Sequence, residues 1–403
     1  MSTKIIAKCR EKQFQILCAV KDICDRAGIR MVLLGDAALA AYRGHLDVDN
    51  IDICIDAADI WRFMDALDKA QVGYTADSMY TNGDFPAFEM RIYDPETIDY
   101  DNKDFMKYRL NCLYVRVLFA LHVPALKIRR ITLNSLKNAY EIRNKVRFGE
   151  RDESASRMVR IVEKQERKKG KDATAKWAFK KLADGYANGS DKIMIGENAF
   201  KAGVIGKGKT VTVNGTELLI PEQAARYFTR VFGRKWESYE IPEYAESVRG
   251  FRDADHSWAE FRERISYMDL DGYYEDLKKY QSGHRAFRAY HDDVNKYRRI
   301  LTRTDMRFKL WQKYMPMKDE IVSLHEKGDY DALGELLKEY MHCMELCEKD
   351  KLGLCFDEDI LNITLDVYRH QGEADHAAVL DSLVPAEHRE VLKLMDYKGE
   401  IIK

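Results

Sequence analysis

A glycine turn followed by a cluster of acidic residues is the part of this sequence best suited to chemistry. The stretch from Arg30 to Ile55 reads RMVLLGDAALAAYRGHLDVDNIDICI, with Gly35-Asp36 after one apolar run and Asp52 inside a second. Backbone N–H groups of a glycine turn can bind phosphate oxygens. Carboxylates two residues apart on a strand can face one divalent metal ion. The sequence therefore predicts a combined phosphate and metal site, with Gly35 and Asp36 forming its turn.

The metal ligands of this site are predicted around Asp52. The residue two positions earlier is Asn50, whose side chain offers a neutral carbonyl oxygen instead of a second carboxylate. Asp49 is a further candidate, although it shares a strand face with Asp52 only if a bulge intervenes. If the register slips, Asp47 and Asp49 form the pair two residues apart. We expect Asp52 and Asn50, with or without Asp49, to hold Mg²⁺ or Mn²⁺ and to act as catalytic residues.

Three arginines are candidates for contact with a phosphate. Arg43 and Arg91 offer fixed positive charge in a planar fork that suits phosphate oxygens, although a surface position explains Arg43 almost equally well. Arg116 stands within the apolar run Leu113–Leu118, where an unpaired guanidinium would be costly. It is therefore expected either to bind phosphate directly or to form a salt bridge with a nearby acid. The acids that could pair with it are Asp52, Asp49 and Glu89.

Hydrophobic periodicity predicts alternating helices and strands around these residues. An amphipathic helix over Ile5–Ala27 ends at Gly28, and a hairpin turns at Asn214-Gly215. Further helices are predicted over Ala57–Ala70, within Ala125–Tyr186 and over Glu222–Phe232, and Ala187–Gly208 is predicted to be a loop-rich connection. The predicted strands are Met31–Leu34, Ile51–Ile55, Phe88–Tyr93, Leu113–Leu121 and the two arms of Val211–Ile220.

Bulk properties narrow the class of protein. With 403 residues, the chain is expected to form two or three domains. Its 46% hydrophobic and 33% charged residues are ordinary for a globular protein. The net charge of −1 disfavours a dedicated nucleic-acid binder, which would carry a basic excess. No apolar run approaches the roughly 20 residues needed to cross a bilayer. The N-terminus has no signal-peptide core, and eight scattered cysteines suit reduced thiols. A cytoplasmic protein is therefore expected, possible contact with the inner face of a membrane being left open.

The chain beyond about residue 245 is predicted to be helical, giving domains at 1–245 and 246–403. Its many aromatic residues repeat at helical spacing, which indicates core packing more than glycan stacking.

Zinc at His342, Cys343, Cys347 and Cys355 is disfavoured because the spacing fits no standard finger. His256 is expected to make an interdomain contact more readily than to join the site. The bases Lys164, Arg167, Lys168, Lys169 and Lys171 indicate a solvated helix end, with an anionic glycan or membrane surface as the alternative.

Several landmarks together resemble the LicD/fukutin family of phosphotransferases. They are Ile23-Cys24, the apolar run 29–34, Gly35-Asp36-Ala37, Arg43, the acidic segment Asp47–Ile53, Arg91–Thr97, and the segment 213–221 with Tyr227-Phe228 and Phe232-Gly233 after it. Each landmark alone is weak, but their order along residues 10 to 245 matches the family.

The resemblance implies a nucleotidyltransferase-like α/β (α+β) fold: a mixed sheet with flanking helices, followed by an all-helical C-terminal domain. It also implies metal-assisted transfer of a phospho-alcohol, such as phosphocholine, from a CDP-activated donor to a hydroxyl group. The acceptor would be a cell-surface glycan, a lipid-linked glycan or a teichoic-acid precursor. Such chemistry asks the protein chiefly for alignment and charge neutralisation.

Three residues depart from the family pattern. Asn50 replaces a metal-binding aspartate, Arg116 stands where the family often has a further acid, and Asp36 brings negative charge to the phosphate turn. These departures favour a rival interpretation, a pseudoenzyme or binding scaffold that keeps the fold with a degraded metal site. A nucleotidyltransferase acting on protein or RNA is a third possibility, because one fold serves several reactions.

Overall fold

The computed structural model describes most of the chain as a mixed α/β structure with a helical C-terminal region. The described residues are 3–70, 72–101, 111–147, 157–242, 250–259, 306–307, 309–349 and 351–384. The α/β fold class predicted from the sequence is confirmed.

A seven-stranded mixed sheet forms the centre of the N-terminal part. Its strands are β1 (Val32–Leu34), β2 (Ile51–Asp56), β3 (Thr75–Ser78), β4 (Met90–Tyr93), β6 (Tyr114–His122), β7 (Lys192–Ile195) and β8 (Asn198–Lys201). The main path runs β1-β2-β6-β4-β3, and β7 joins the far end of β6. Only the β2–β6 pair is parallel among these described strands.

Helices surround this sheet and contribute buried residues to its core. They are α1 (Thr3–Arg26), α2 (Gly35–Tyr42), α3 (Ile60–Ala70), α4 (Lys127–Arg147), α5 (Arg157–Lys169), α6 (Lys171–Tyr186), α7 (Ala202–Ile205) and α8 (Ala224–Phe232). Buried residues of α1, such as Leu17 and Val20, share one core with Ile53 of β2 and Val117 of β6. The helices α1, α3 and α8 agree with predicted ones to within a few residues, and α4, α5 and α6 lie within the predicted helical segment Ala125–Tyr186.

The β-hairpin near the end of the N-terminal part forms at the turn residues that predict it. β9 (Lys209–Val213) and β10 (Thr216–Ile220) pair in antiparallel register across Asn214-Gly215. Both turn residues have positive φ, 50° and 77°, which Asn and Gly tolerate best. The predicted hairpin is therefore confirmed.

Two segments have a structure that differs from the one predicted. The connection predicted to be loop-rich contains β7, β8 and α7, because Ile193 and Ile195 alternate into the core and Gly196 makes the turn between the strands. The tail predicted to be all-helical contains β11 (Gly250–Asp253), which pairs with β5 (Ile98–Asp101). Strands of four residues carry too little periodicity to be recognised reliably.

The C-terminal region has its own apolar core. It contains a helical stretch over 309–314, then α9 (Lys318–Glu326), α10 (Tyr330–Glu348), α11 (Glu358–His370) and α12 (Ala374–Ser382). Trp311 and Tyr314 are buried in this core together with Ile98 of β5, as core packing of the tail aromatics predicts. The aromatic residues at 273–297, to which the same prediction applies, lie outside the described residues. Among the described helices, none is long and apolar enough to cross a membrane.

Candidate functional site

Four charged residues lie in one row across the polar face of the sheet. The register pairs Asp52 of β2 with Arg116 of β6, Arg116 with Arg91 of β4, and Arg91 with Asp77 of β3. Side chains at paired positions point to the same face, so this row brings three separately predicted residues together. The row is the candidate site, and Gly35 lies at its β1 end because its neighbour Leu34 pairs with Asp52.

Arg116 and Asp52 form a two-pronged ion pair at the centre of the row. Arg116 donates Nε to Asp52 Oδ1 at 2.8 Å and Nη2 to Oδ2 at 2.5 Å. Burial alone would lower the pKa of Arg116, but the Asp52 carboxylate more than offsets it and the pKa is raised. The guanidinium is therefore firmly cationic, and of the three acids that the sequence offered as its partner, the structure selects Asp52.

The predicted phosphate turn is already filled by protein groups. Gly35 has φ of +53°, and its backbone N–H donates to the hydroxyl of Tyr227 at 3.0 Å. A Cβ placed on Gly35 would stand 3.7 Å from Asp52 Oδ2, so the carboxylate lies directly against the turn. An incoming phosphate would meet a carboxylate and an occupied N–H at this position.

The other predicted metal ligands lie elsewhere. Asp49 is buried and accepts hydrogen bonds from Arg10 Nε and Nη2 at 3.0 and 3.3 Å. Asn50 is exposed immediately before β2, and Asp47 is exposed as well. The structure thus separates Asp49 from Asp52 and assigns each to a different arginine.

The remaining predicted phosphate ligands are held by protein partners. Arg43 donates through Nη2 to the backbone carbonyls of Trp236, Glu237 and Tyr239, at 3.4, 3.1 and 2.9 Å. Arg91 donates through Nε and Nη2 to Glu89 Oε1 and lies over two aromatic rings. Arg91 is therefore part of the row, whereas Arg43 fixes the chain beyond α8.

Asp36 follows Gly35 in the turn, and its surroundings disfavour the ionised form of its carboxyl group. Burial, and next the charge of Asp52, raise the pKa of its carboxyl above the usual range. The folded protein therefore binds the Asp36 proton more tightly than the unfolded chain does. Stability from this group is greatest at low pH and falls as the pH rises through the raised pKa.

Replacing Asp36 with asparagine is expected to stabilise the protein at pH 7, because it removes a carboxylate that burial and Asp52 disfavour. The gain should vanish at about pH 2–3, at least one unit below the usual aspartate pKa, where the carboxyl is protonated in both states. Urea unfolding midpoints of the wild type and the variant at both pH values measure this difference. Asp47→Asn, at an exposed acid of the same segment, is the matched control and should give no gain.

The residues of the row do not fit a divalent metal. Of the predicted ligands, Asp52 is neutralised by a guanidinium, Asp49 faces other arginines and Asn50 lies outside the strand. A cation at Asp52 would have to displace Arg116, whose guanidinium binds both carboxylate oxygens and repels a positive ion. Within the described part of the chain, no three His, Cys, Asp or Glu side chains are grouped as a metal site, and this includes the residues from His342 to Cys355.

Sequence reasoning did not identify two residues that shape the site. Tyr227 of α8 reaches the Gly35 turn, and burial raises the pKa of its hydroxyl, which keeps it neutral. Arg252 of β11 donates Nη1 to the backbone carbonyl of Asp49 at 3.0 Å. In the sequence, Tyr227 stands out only as one landmark of the family pattern, and no sequence signal connects Arg252 with Asp49.

His256 pairs with Asp253 and packs against Trp311, so it lies at a contact with the C-terminal core.

A cavity of about 650 Å³ lies on the opposite face of the sheet. Met90 and Ile92 line it, and they alternate with Arg91 along β4. Trp61, Met64 and Leu67 of α3 close its other side. The cavity is therefore separate from the charged row.

The fold and the row define a mixed α/β protein whose sheet carries an internal ion pair beside a glycine turn. Comparison of the chain with protein-family models, with curated proteins and with solved structures finds no match.

Proposed function

We propose that this chain is a non-catalytic binding protein built on a nucleotidyltransferase-like fold, in which an ion pair takes the place of the metal. The single observation that carries the proposal is the Arg116–Asp52 pair, with both carboxylate oxygens bonded to one guanidinium. Metal-assisted phosphoryl transfer needs carboxylates that are free to bind the cation. Here the carboxylate at the centre of the row is neutralised by the protein itself.

The state of the glycine turn supports the same proposal. Its first N–H is bonded to Tyr227, and the carboxylate of Asp52 lies where phosphate oxygens would approach. Asp36 adds further negative charge at this point. Repulsion of a donor phosphate is the expected electrostatic consequence.

A calorimetric titration of the full chain with CDP-choline, with and without Mg²⁺, tests the proposal. We expect Mg²⁺ to leave nucleotide affinity unchanged, because no predicted metal ligand is available to it. The same titration of Asp52→Ala is the control, since this variant removes the one carboxylate on which a metal site would depend. Mg²⁺-dependent binding by the wild type that disappears in Asp52→Ala would overturn the proposal.

A metal-assisted LicD-like phosphotransferase is the second candidate, and one observation favours it. The charge of Asp52 contributes to the raised pKa of Asp36, and a divalent cation bound by both carboxylates would relieve this repulsion. The partners of that activity would be a CDP-linked donor and a glycan or lipid-linked glycan acceptor. This candidate requires Mg²⁺-dependent nucleotide binding that is lost in Asp52→Ala, which is the result that would overturn the first proposal. One titration therefore separates the two proposals.

A further inference from the structure

The N-terminal end of α4 exposes apolar side chains to an unusual degree. Leu126, Ile128 and Ile131 are 72%, 81% and 53% exposed, the three highest values among the large apolar side chains that the structure describes. All three lie within residues 126–131, at the start of one helix, and we call this segment the α4 tip. Contiguous exposed apolar groups of this kind mark interaction sites, whereas scattered ones are ordinary.

The α4 tip is also strongly basic. Lys127, Arg129 and Arg130 alternate with its apolar residues, and the first turn of the helix contains no acid. Helix N-termini carry partial positive charge and favour acidic residues, so three bases at this end are unfavourable in the isolated protein. Their placement is better explained by an external anionic partner.

Protein groups satisfy this charge only in part. Arg129 donates through Nη2 to the backbone carbonyl of Asp184 at 3.3 Å, and the carboxylate of Asp184 accepts from Trp61. Lys127 and Arg130 make no ion pair with any described residue. Both charges therefore remain open to an outside ligand.

The orientation of the helix presents the patch outward. Leu133 and Leu136 turn inward to the core of the N-terminal part, whereas Ile128 and Ile131 point away from it. The exposed face thus combines aliphatic side chains with bases at their sides. An amphipathic segment of this composition lies with its apolar groups among acyl chains and its bases at lipid phosphates.

We propose that the α4 tip docks the protein on an anionic lipid surface. Lipid is favoured over nucleic acid because three exposed aliphatic residues offer no base stacking or hydrogen bonding. It is favoured over a folded protein partner because the patch lacks the aromatic anchors of such interfaces. The proposal does not rest on the proposed function, since the α4 tip shares no residue with the charged row.

Co-sedimentation of the full chain with vesicles tests this docking. Vesicles of phosphatidylcholine alone are compared with vesicles that also contain phosphatidylglycerol, at low and high salt. Wild-type protein should sediment with the anionic vesicles and be released by salt. Ile128→Ser/Ile131→Ser and Lys127→Glu/Arg130→Glu should each weaken binding about tenfold or more.

The matched control is Arg234→Glu/Lys235→Glu, which makes the same charge change at exposed bases that follow α8. It should bind within about threefold of wild type if the α4 tip provides the contact. Circular dichroism of each variant establishes that it is folded. Wild type that ignores anionic vesicles, or equal binding by the isoleucine variant, would overturn the proposal. So would a wild-type dimer in ultracentrifugation that the isoleucine variant abolishes, since a second copy would then cover the patch.

Discussion

Replacing Arg252 with methionine is expected to lower the free energy of unfolding by about 3–5 kcal/mol. The guanidinium donates Nε and Nη2 to the Asp99 carboxylate at 2.9 and 3.0 Å, and Nη1 to the backbone carbonyl of Asp49. Its side chain is only 5% exposed. Methionine fills similar volume but leaves two acids without this cation in a site that water hardly reaches.

Urea unfolding followed by circular dichroism measures this effect, and Arg62→Met is the matched control. Arg62 also donates to one carboxylate, of Asp59, and one carbonyl, of Gly28, but its side chain is 52% exposed. The control should therefore cost less than about 1 kcal/mol. Equal losses for the two variants would contradict a special role of burial at Arg252.

Arg252 is expected to contribute this much to the free energy of unfolding because it joins distant parts of the chain. It lies on β11, pairs with Asp99 on β5, and reaches Asp49 before β2. The neighbouring Asp253 accepts from Gln312 in the C-terminal region. Asp49, which the sequence predicts as a metal ligand, therefore takes part in the connection between the two cores.

Replacing Arg116 with aspartate is expected to create a divalent metal site. The β2–β6 register would place the new carboxylate directly beside Asp52. Without metal, loss of the ion pair and repulsion between the acids should lower the free energy of unfolding by about 2 kcal/mol. Saturating Mg²⁺ should restore stability, by about 2.7 kcal/mol at a hundredfold excess over its dissociation constant.

Thermal unfolding with and without Mg²⁺ measures this gain. Arg116→Leu is the control, because it removes the same ion pair without adding a carboxylate and should not respond to Mg²⁺. Wild type should not respond either, since Arg116 neutralises Asp52. A wild-type response equal to that of Arg116→Asp would show that the ion pair does not exclude the metal.

Much of the local structure follows from short-range patterns in the sequence. Helix α1 ends where Gly28 permits positive φ, and the hairpin turns at Asn214-Gly215 for the same reason. Strands β2 and β6 are apolar enough to be recognised, and the cost of burying Arg116 in β6 correctly predicted a charged partner. These features depend on residues close together in the chain.

The candidate site depends on contacts that no local pattern contains. Asp52 and Arg116 are 64 residues apart, and Asp49 is 203 residues from Arg252. Which acid meets which arginine depends on strand register, and a one-residue shift would turn each side chain to the other face.

By itself, the sequence determined the alternation of helices and strands, the glycine turn and the need for a partner to Arg116. Only the tertiary structure decided that this partner is Asp52, that Tyr227 fills the turn and that Asp49 faces Arg10 and Arg252. The physical reason is that turns and periodicity arise between neighbours in the chain. Charge pairing arises between neighbours in space, which the packing of the whole fold selects.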